Sequence, residues 1–408
     1  MKILFLVDKY YPKPLANSIC AQELVKLCTS RGHEVHVLAY TDTGIQGVET
    51  RDGAKVFYVA PDFRMQMFYY GKNFPGKPLA DLLYKAAGFL SKSKKVFLIK
   101  YEPFYSFTAP LRIRKRIENL YSRYHYDLIV SVYSPFDSAL AMYWLKKKGL
   151  ECKWCIYALD PFFNPRLPIK NKKSFWLEKF LRVADLFIYM QSRSDDFEYE
   201  ELLKYKFKMK AADIPLLTFS SKVIVKPMNP NREVWVYAGS LGKPHYDESL
   251  VVKCFANLEA KENRVWHIYT SASEVKRLKH LEEKTNGRIK LHNYVSRDEL
   301  ALIYKEADVL VSIKSSDQIS AKIFEYMNYG KRIVHFSCVK NDPNKAYIEK
   351  YAKGYVVDLY EKKSEQAAND LEHMIDMWRE EKEIMEIEMN GFELNCPGYT
   401  VNLLEEFE

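Results

Sequence analysis

Short apolar runs alternate with amphipathic segments along most of the chain, and the alternation comes in two blocks. In the first block, segments with helical periodicity such as Ser18–Arg31 separate apolar runs at Lys2–Val7, Val35–Tyr40, Asp127–Val132, Lys153–Leu159 and Leu186–Met190. The second block has apolar runs at Val234–Ala238, Val265–Tyr269, Ile289–His292, Val309–Ile313, Ile333–Ser337 and Tyr355–Val357. Strands that alternate with helices form parallel sheets covered on both faces, so the pattern predicts an α/β protein with two doubly wound domains.

A stretch without long helical periodicity separates the two blocks. Pro215, Pro227 and Pro230 are scattered through it, and proline interrupts both helices and strands. We therefore predict an N-terminal domain over residues 1–205, a linker over 206–232 and a C-terminal domain over 233–375. A long charged helix is predicted over Glu365–Glu388, so that residues 376–408 form the end of this helix and an irregular tail.

The segment Ser312–Val334 carries the strongest functional pattern. An apolar strand runs into a polar loop, and a helix follows, with Ser320 placed to cap its start and Gly330 placed to end it. The N-terminus of a helix offers free N–H groups and a positive dipole end, which suit a phosphate group. Glu325 lies about one turn inside this helix, where its carboxylate can accept hydrogen bonds from paired hydroxyls.

This segment resembles the nucleotide-sugar site of retaining glycosyltransferases of family 4, which have the two-domain GT-B fold. That family carries an acidic residue, seven others and then a glutamate. Asp317 and Glu325 meet this spacing, although the first position is usually Glu, and the residues in step with the family are Tyr326, Met327, Gly330, Lys331 and Val334. The resemblance implies that Glu325 holds the nucleotide ribose, that Asp317 contacts the donor sugar, and that the donor also meets Ile319, Ser320, Ala321 and Lys322.

The same resemblance implies the architecture. Two Rossmann-like doubly wound domains are expected to face a central cleft, and the segment 376–408 is expected to cross back onto the N-terminal domain. The phrases at residues 31–35 and 177–185 of the N-terminal block are also similar to the family.

The loop after the first C-terminal strand departs from the family. Family members place an Arg directly after the glycine of this strand, and that position is Ser240, next to Gly239. Lys243 is the nearest cation, and we expect it to stabilise the charge that builds up on the leaving diphosphate. The alternative is that residues 239–244 form an ordinary turn and that Lys243 is a solvated surface charge.

Acceptor-side residues are expected at the ends of N-terminal strands. Ala16 and Asn17 stand where the family often has two glycines, although Asn17 and Ser18 could simply cap a helix. Tyr133 and Ser134 follow one strand, and Asp160 follows the next. Asp160 is a candidate base or acceptor-orienting group, or else a loop cap. No two carboxylates form an assignable acid/base pair, which fits retention with the leaving phosphate taking the acceptor proton rather than a glycosidase.

Composition and missing motifs indicate the cellular compartment of the protein and argue against a metal site or a dinucleotide cofactor. Seven cysteines among 408 residues, without a dense framework, suit a reducing cytoplasm. The apolar run Ile3–Val7 near the N-terminus is too short for a signal peptide and is expected to be the first strand, and no run reaches the length of a membrane span. The lone Cys152-x-x-Cys155 pair and the dispersed histidines offer no metal motif, so neither a metal nor another cofactor is expected. The absence of a Gly-x-Gly-x-x-Gly phrase after the first strand argues against a dinucleotide oxidoreductase.

Positive charge is concentrated in an insert near residues 61–125. Residues 64–124 contain thirteen basic and three acidic side chains, a local balance of +10, whereas the whole chain carries +9. Aromatic residues are interleaved with the basic ones, and Leu79–Leu90 is predicted to be a helix with an apolar side. Basic and apolar residues together suit an anionic membrane surface, so we expect peripheral binding to the inner face of the cell membrane. The alternatives are an ordinary core helix or nucleic-acid binding, and no nucleic-acid motif supports the latter.

These patterns and the resemblance predict a hexosyltransferase. It is expected to move a sugar from a nucleotide-diphosphate donor to a glycan or lipid-linked saccharide acceptor, with retention, in cell-surface polysaccharide biosynthesis. The alternatives are a nucleotide-sugar epimerase or hydrolase on the same fold, or a non-catalytic relative that binds a nucleotide sugar.

Overall fold

A computed structural model of the protein describes residues 1–408 except 12–13, 42–46, 61–62, 75, 99–107, 134–135, 160–169, 193, 195–199, 219–221, 230, 242–247, 260–262, 315–318 and 407–408. Inside helices and strands, the side chains of residues 64, 72–73, 91–98, 170–175, 201, 248–249 and 314 are also outside the description. The chain divides into two compact units, which are Met1–Pro215 with Leu394–Glu408, and Leu216–Glu393.

The first unit is built on an eight-stranded sheet in the order β3-β4-β2-β1-β5-β6-β7-β8. Its strands are β1 (Lys2–Leu6), β2 (Glu34–Tyr40), β3 (Val48–Arg51), β4 (Ala54–Val59), β5 (Leu128–Tyr133), β6 (Lys153–Ala158), β7 (Leu186–Met190) and β8 (Met209–Ala212). Only β3 pairs antiparallel among the described strands of this sheet. The order reverses between β1 and β5, which makes that position the switch point of the sheet.

Seven α-helices surround this sheet in the described part of the unit. They are α1 (Ala16–Ser30), α2 (Phe63–Asn73), α3 (Pro78–Leu98), α4 (Ala109–Tyr124), α5 (Phe136–Lys147), α6 (Lys170–Leu181) and the C-terminal α14 (Pro397–Glu405). A 3-10 helix spans Glu200–Lys208. Buried apolar side chains of the central strands, α4, α5 and α6 form one core, in which Trp154 donates a hydrogen bond to Ser131 Oγ at 2.9 Å.

The second unit has a six-stranded, all-parallel sheet in the order β12-β11-β10-β13-β14-β15. Its strands are β10 (Glu233–Ala238), β11 (Arg264–Thr270), β12 (Ile289–Asn293), β13 (Val309–Lys314), β14 (Arg332–Ser337) and β15 (Gly354–Asp358). The helices are α7 (Glu248–Asn257), α8 (Ala272–Leu278), α9 (His280–Lys284), α10 (Arg297–Glu306), α11 (Ala321–Asn328), α12 (Asn344–Lys350) and α13 (Ser364–Glu380). Here the order reverses between β10 and β13.

The segments that join the blocks differ from the sequence-based boundaries. Residues 209–212 form β8, which pairs with β7, so the first unit runs to Pro215 rather than to residue 205. Within the expected linker 206–232, β9 (Lys222–Val225) pairs antiparallel with β16 (Met385–Glu388). That pairing also ends α13 at Glu380, eight residues short of the predicted helix end at Glu388. Both short strands depend on partners distant in sequence, which a local pattern does not register.

The end of the chain belongs to the first unit only from Leu394 onward. Of the expected segment 376–408, residues up to Glu393 stay with the second unit. The helix that lies against the first unit is α14, where Glu405 pairs with Arg31 at 2.5 Å and with His33 at 2.7 Å. No helix within the described residues is both long and apolar enough to cross a membrane.

Candidate functional site

The end of β10 is crowded, and a side chain at Gly239 would require neighbouring side chains to shift. A Cβ at Gly239 would lie 2.8 Å from the Tyr237 hydroxyl and would collide with the Lys322 ammonium group. The Lys322 ammonium also lies 5.4 Å from the centre of the Tyr237 ring, a cation–π distance. The structure therefore brings two residues predicted to contact the donor, Gly239 and Lys322, into contact.

Glu274 anchors the loop that follows β10. Its Oε1 accepts hydrogen bonds from Ser240 Oγ at 2.8 Å and from the Leu241 N–H at 3.0 Å, and its Oε2 accepts one from Thr270 Oγ1. Burial by itself raises the pKa of Glu274, but these hydrogen bonds outweigh it and hold the pKa below its usual value. Ser240 thus binds a carboxylate.

The helix α11 starts where the sequence predicts, but the hydrogen bond at its N-cap residue differs from the expected one. Ser320 occupies the N-cap position with extended backbone, and its side chain makes no capping hydrogen bond, so that part of the prediction is wrong. The Ser320 N–H instead donates to Asn344 Oδ1 at 2.7 Å. Ile319, Ser320, Ala321 and Lys322 are each half-buried.

The end of α11 follows the prediction. Gly330 adopts a left-handed conformation with φ of 59°, and a Cβ there would collide with the Ile224 carbonyl oxygen. Its N–H donates to the Met327 carbonyl at 3.0 Å, as expected of a glycine that terminates a helix.

Glu325 is half-buried on α11, near a cluster of tyrosines. The Tyr304 ring packs edge-on against those of Tyr326 and Tyr329, with centroids 5.1 and 5.5 Å apart. Burial raises the pKa of Tyr329, and the negative charge of Glu325 raises it further. Tyr329 is therefore a neutral neighbour of Glu325 at physiological pH.

These groups meet at the switch point of the second sheet. Gly239 follows β10 and the start of α11 follows β13, and the two strands are neighbours. Open α/β sheets bind ligands at the carboxyl ends of strands at such a point. The first-turn N–H groups of α11 and the Lys322 charge together suit an anion.

The acceptor-side candidates flank the switch point of the first sheet. Ala16 and Asn17 lie in the first turn of α1, which follows β1, while Leu15 holds the N-cap position, so neither Asn17 nor Ser18 caps the helix. Tyr133 ends β5, is 7% exposed and packs edge-on against Phe136, with ring centroids 6.2 Å apart.

Asp137 is a residue at the same edge that the sequence analysis missed. It lies buried in the first turn of α5, and its Oδ2 accepts a hydrogen bond from the Tyr40 hydroxyl at 3.1 Å. A carboxylate in the first turn after a strand end was the available signal. Glu274 could have been found by a similar sequence signal, because Ser271 and Glu274 have the spacing of a capping box at the start of α8.

Four predicted site residues, Asp317, Lys243, Asp160 and Ser134, lie outside the described residues and stay predictions. Within the described part of the chain, no three His, Cys, Asp or Glu side chains are grouped so as to hold a metal ion.

Comparison with known proteins identifies the fold. Residues 222–388 match the family described as Glycosyl transferases group 1, and this range includes Gly239, Lys322 and Glu325. No curated protein matches the chain.

Solved structures resemble the chain along its whole length. Anabaena HepE, in complex with UDP and glucose, has a TM-score of 0.58 at 13% identity, covering 100% of this chain and 98% of that one. Sucrose-phosphate synthase from Thermosynechococcus elongatus has a TM-score of 0.57 at 13% identity, and the match covers 100% of this chain and 96% of that one. The catalytic domain of Arabidopsis thaliana starch synthase IV, bound to ADP and acarbose, has a TM-score of 0.61 at 10% identity. This match covers 100% of this chain and 98% of that one.

Identities this low establish the fold and not the substrate. The fold is the GT-B fold of glycosyltransferases with two Rossmann-like domains, so the predicted fold class is confirmed. Together with the domain at 222–388, it supports a glycosyltransferase.

Proposed function

We propose that this protein transfers a sugar from a nucleotide-diphosphate donor to a glycan or lipid-linked saccharide acceptor, with retention as in family 4, in cell-surface polysaccharide biosynthesis. The observation that carries the proposal is the contact of Lys322 with Gly239 at the switch point of a glycosyl transferases group 1 domain. HepE, a structural neighbour, was solved with UDP and glucose, which supports a nucleotide sugar as the donor.

Lys322 is the described cation best placed to stabilise the leaving diphosphate. Its ammonium group lies against the backbone at the end of β10, beside the N-terminus of α11. Charge builds up on the diphosphate as the glycosidic bond breaks, so a fixed cation there lowers the barrier. Ser240 provides no charge at the family's Arg position. Lys243 remains the second proposed cation, and Asp317 the proposed contact with the sugar.

Nucleotide-sugar binding is tested by thermal unfolding with UDP-glucose, ADP-glucose and GDP-mannose. A ligand that binds only the folded state at a hundred times its dissociation constant stabilises it by about 2.7 kcal/mol, so at least one of the three should raise the Tm. No shift with any nucleotide sugar or free nucleotide would contradict the proposed site.

Substituting each cation separates the two candidates. Lys322→Met removes the charge and keeps the stem, and we expect kcat to fall more than KM rises, because the charge acts most strongly in the transition state. Lys243→Met tests the second candidate in the same assay. Lys276→Met, on the exposed side of α8, is the matched control and should behave as wild type.

Incubation with the donor alone distinguishes the reaction classes. A transferase consumes the donor rapidly only when an acceptor is present, whereas an epimerase or hydrolase converts it without one. Binding without turnover towards any acceptor would leave the non-catalytic alternative.

We further propose that α2 and α3 dock on an anionic membrane. The two helices pack together, with the Phe68 and Tyr84 rings stacked 4.9 Å apart. Apolar side chains on α3 nevertheless remain exposed, including Leu82 at 63% and Phe89 at 72%. An exposed apolar face beside a strongly basic segment supports binding at the headgroup level of anionic lipid.

Vesicle co-sedimentation tests this docking. Binding should require phosphatidylserine or phosphatidylglycerol, weaken as salt rises, and fall in both Lys92→Glu/Lys94→Glu/Lys95→Glu and Leu82→Ser/Phe89→Ser. Equal binding to purely phosphatidylcholine vesicles, or none to anionic ones, would contradict it.

A further inference from the structure

A chain of buried polar side chains runs from β13 through β14 to the residue before α11. The Ser312 hydroxyl lies 3.0 Å from His335 Nδ1, and His335 Nε2 lies 2.8 Å from Asp342 Oδ2. Asp342 Oδ1 accepts from the backbone N–H and the side-chain Nδ2 of Asn344, at 2.9 and 2.7 Å. Asn344 Oδ1 then accepts from the Ser320 N–H at 2.7 Å.

The four side chains of this chain are excluded from solvent, and Ser320 at its end is half-buried. His335 and Asn344 are 0% exposed, Ser312 is 3% exposed and Asp342 is 7% exposed. Buried polar groups that are fully hydrogen-bonded fix a single arrangement, because breaking a bond between two buried groups leaves them unsatisfied with no water to replace the bond. The backbone at Ser320 is therefore held by a carboxamide whose own orientation is fixed.

The directions of the hydrogen bonds are determined by Asp342. Burial raises the pKa of this carboxyl group, but its bonds to His335 and Asn344 outweigh burial and lower the pKa to about 2. An ionised carboxylate only accepts, so His335 Nε2 carries a hydrogen. The carboxylate accepts a hydrogen bond from Asn344 Nδ2. This bond orients Oδ1 of the same amide towards the Ser320 N–H.

We propose that Ser312, His335, Asp342 and Asn344 are positioning residues that hold the start of α11 in the conformation that binds the donor. This inference rests on the proposed function of the site. Lys322 and Glu325 lie on the first turns of α11, so a displacement of Ser320 moves both of them relative to β10. The predicted consequence of breaking the chain is weaker donor binding, with the chemical step largely retained.

The inference is tested on the full-length protein with Asn344→Ala and Asp342→Ala. Both should raise the donor KM roughly fivefold or more, as loss of a buried hydrogen bond does, and change kcat little. Both should also speed hydrogen exchange at the Ser320 amide without nucleotide, which peptides covering residues 319–323 report. The donor is whichever of UDP-glucose, ADP-glucose and GDP-mannose stabilises the wild type.

Asp342→Asn is the conservative variant. Its amide oxygen can still accept from Asn344, and its amide hydrogen can donate to His335 Nε2 once the imidazole carries its hydrogen on Nδ1 and donates to Ser312. We expect this variant to recover most of the affinity lost in Asp342→Ala and to keep Ser320 exchange slow.

Thr285→Val is the matched control for general destabilisation. Thr285 is 3% exposed, and its Oγ1 accepts the Ile289 N–H at 3.1 Å, so the variant also removes a buried acceptor from a backbone N–H of the same unit. It should lower the Tm comparably and leave the donor KM and Ser320 exchange unchanged.

The outcomes separate the two proposals. Unchanged Ser320 exchange in Asn344→Ala, or an equal KM increase in Thr285→Val, overturns the positioning role while the proposed function stands. A wild type that none of the nucleotide sugars stabilises overturns the proposed function instead, and the exchange measurement still decides whether Asn344 holds Ser320.

Discussion

Gly239 shows how a single missing Cβ shapes the candidate site. Tyr237 and Lys322 occupy the space where a Cβ would lie, and the backbone of Gly239 needs no left-handed conformation. The glycine is thus explained by the approach of neighbouring side chains and not by a turn. It follows that the site can be disturbed here without changing the strand.

Gly239→Ala is expected to displace the Lys322 ammonium and the Tyr237 hydroxyl. Donor affinity and kcat should both fall, while circular dichroism stays unchanged and the Tm drops by a few degrees at most. Nucleotide titration and steady-state kinetics measure this. Gly88→Ala is the control, because a Cβ at that position meets nothing within 4 Å, and it should leave donor affinity and kcat unchanged. Normal kinetics in Gly239→Ala would show that Lys322 does not act from this position.

Glu325→Gln tests the carboxylate proposed to hold the ribose. Hydrogen bonds to a charged acceptor are worth about 1.5–3 kcal/mol, so the neutral variant should bind the donor at least tenfold more weakly with its fold intact. Isothermal titration measures the affinity. Glu306→Gln, whose side chain is 76% exposed on α10, is the control. Equal affinity in wild type and Glu325→Gln would remove Glu325 from the site.

Single residues were predictable from sequence only where their partners are close in the chain. Gly330 ends α11 because of a local conformation, and its role was predicted correctly. Ser320 occupies the predicted N-cap position of α11, but its hydroxyl makes no capping hydrogen bond, and its N–H is held by Asn344, 24 residues further along the chain. The contact of Lys322 with Gly239 joins segments that follow two neighbouring strands but are distant in the chain, and it had no local signal.

Elements of the second sheet followed the sequence closely, because each central strand is buried and apolar. Predicted Val234–Ala238 and Ile333–Ser337 correspond to Glu233–Ala238 and Arg332–Ser337. The strands β8, β9 and β16, of four residues each, were missed because pairing with distant partners creates them. The end of α13 was misplaced for the same reason.

The edge formed by β11 and β12 contains a histidine pair with a predictable pH response. His267 Nδ1 lies 2.9 Å from His292 Nε2, and the rings are stacked. Burial, and then the nearby His292 and Lys290, lower the pKa of His267 from 6.5 to about 4. The unfolded chain therefore binds the proton more readily, and the stabilisation present above pH 6.5 is lost as the pH falls towards 4.

His267→Gln should reduce this acid sensitivity. Between pH 7 and pH 4.5, the Tm of the wild type is expected to fall further than that of the variant, because the variant has no imidazole to protonate on unfolding. Thermal unfolding across this range measures the difference. His280→Gln, at an exposed position of the same unit, should follow the wild-type curve; identical curves for wild type and His267→Gln would contradict the assignment.

The connectivity of the whole molecule makes the first unit discontinuous and the second continuous. The chain leaves and re-enters the first unit at neighbouring points, since the Asp213 N–H donates to the Leu394 carbonyl at 3.0 Å. Asn395 Nδ2 also donates to the Ile214 carbonyl at 3.4 Å. Residues 216–393 are therefore inserted between two adjacent positions of the first unit.

Fragments should fold according to this division. Residues 216–393 alone should give a cooperative unfolding transition, and so should residues 1–215 joined to 394–408 by a short glycine-serine linker. Residues 1–215 alone should unfold at a lower temperature and be cleaved faster by protease, because α14 buries Val401 and Leu404. Equal protease resistance with and without residues 394–408 would show that α14 is dispensable.

The late position of α14 in the chain also sets an order of events during synthesis. A ribosome adds about 5–20 residues per second, so the residues between Pro215 and Leu394 take on the order of ten seconds or more to appear. For that time the nascent first unit has its sheet but not the helix that covers α1. Until α14 is made and docks, the part of α1 that it covers in the folded protein is exposed to solvent.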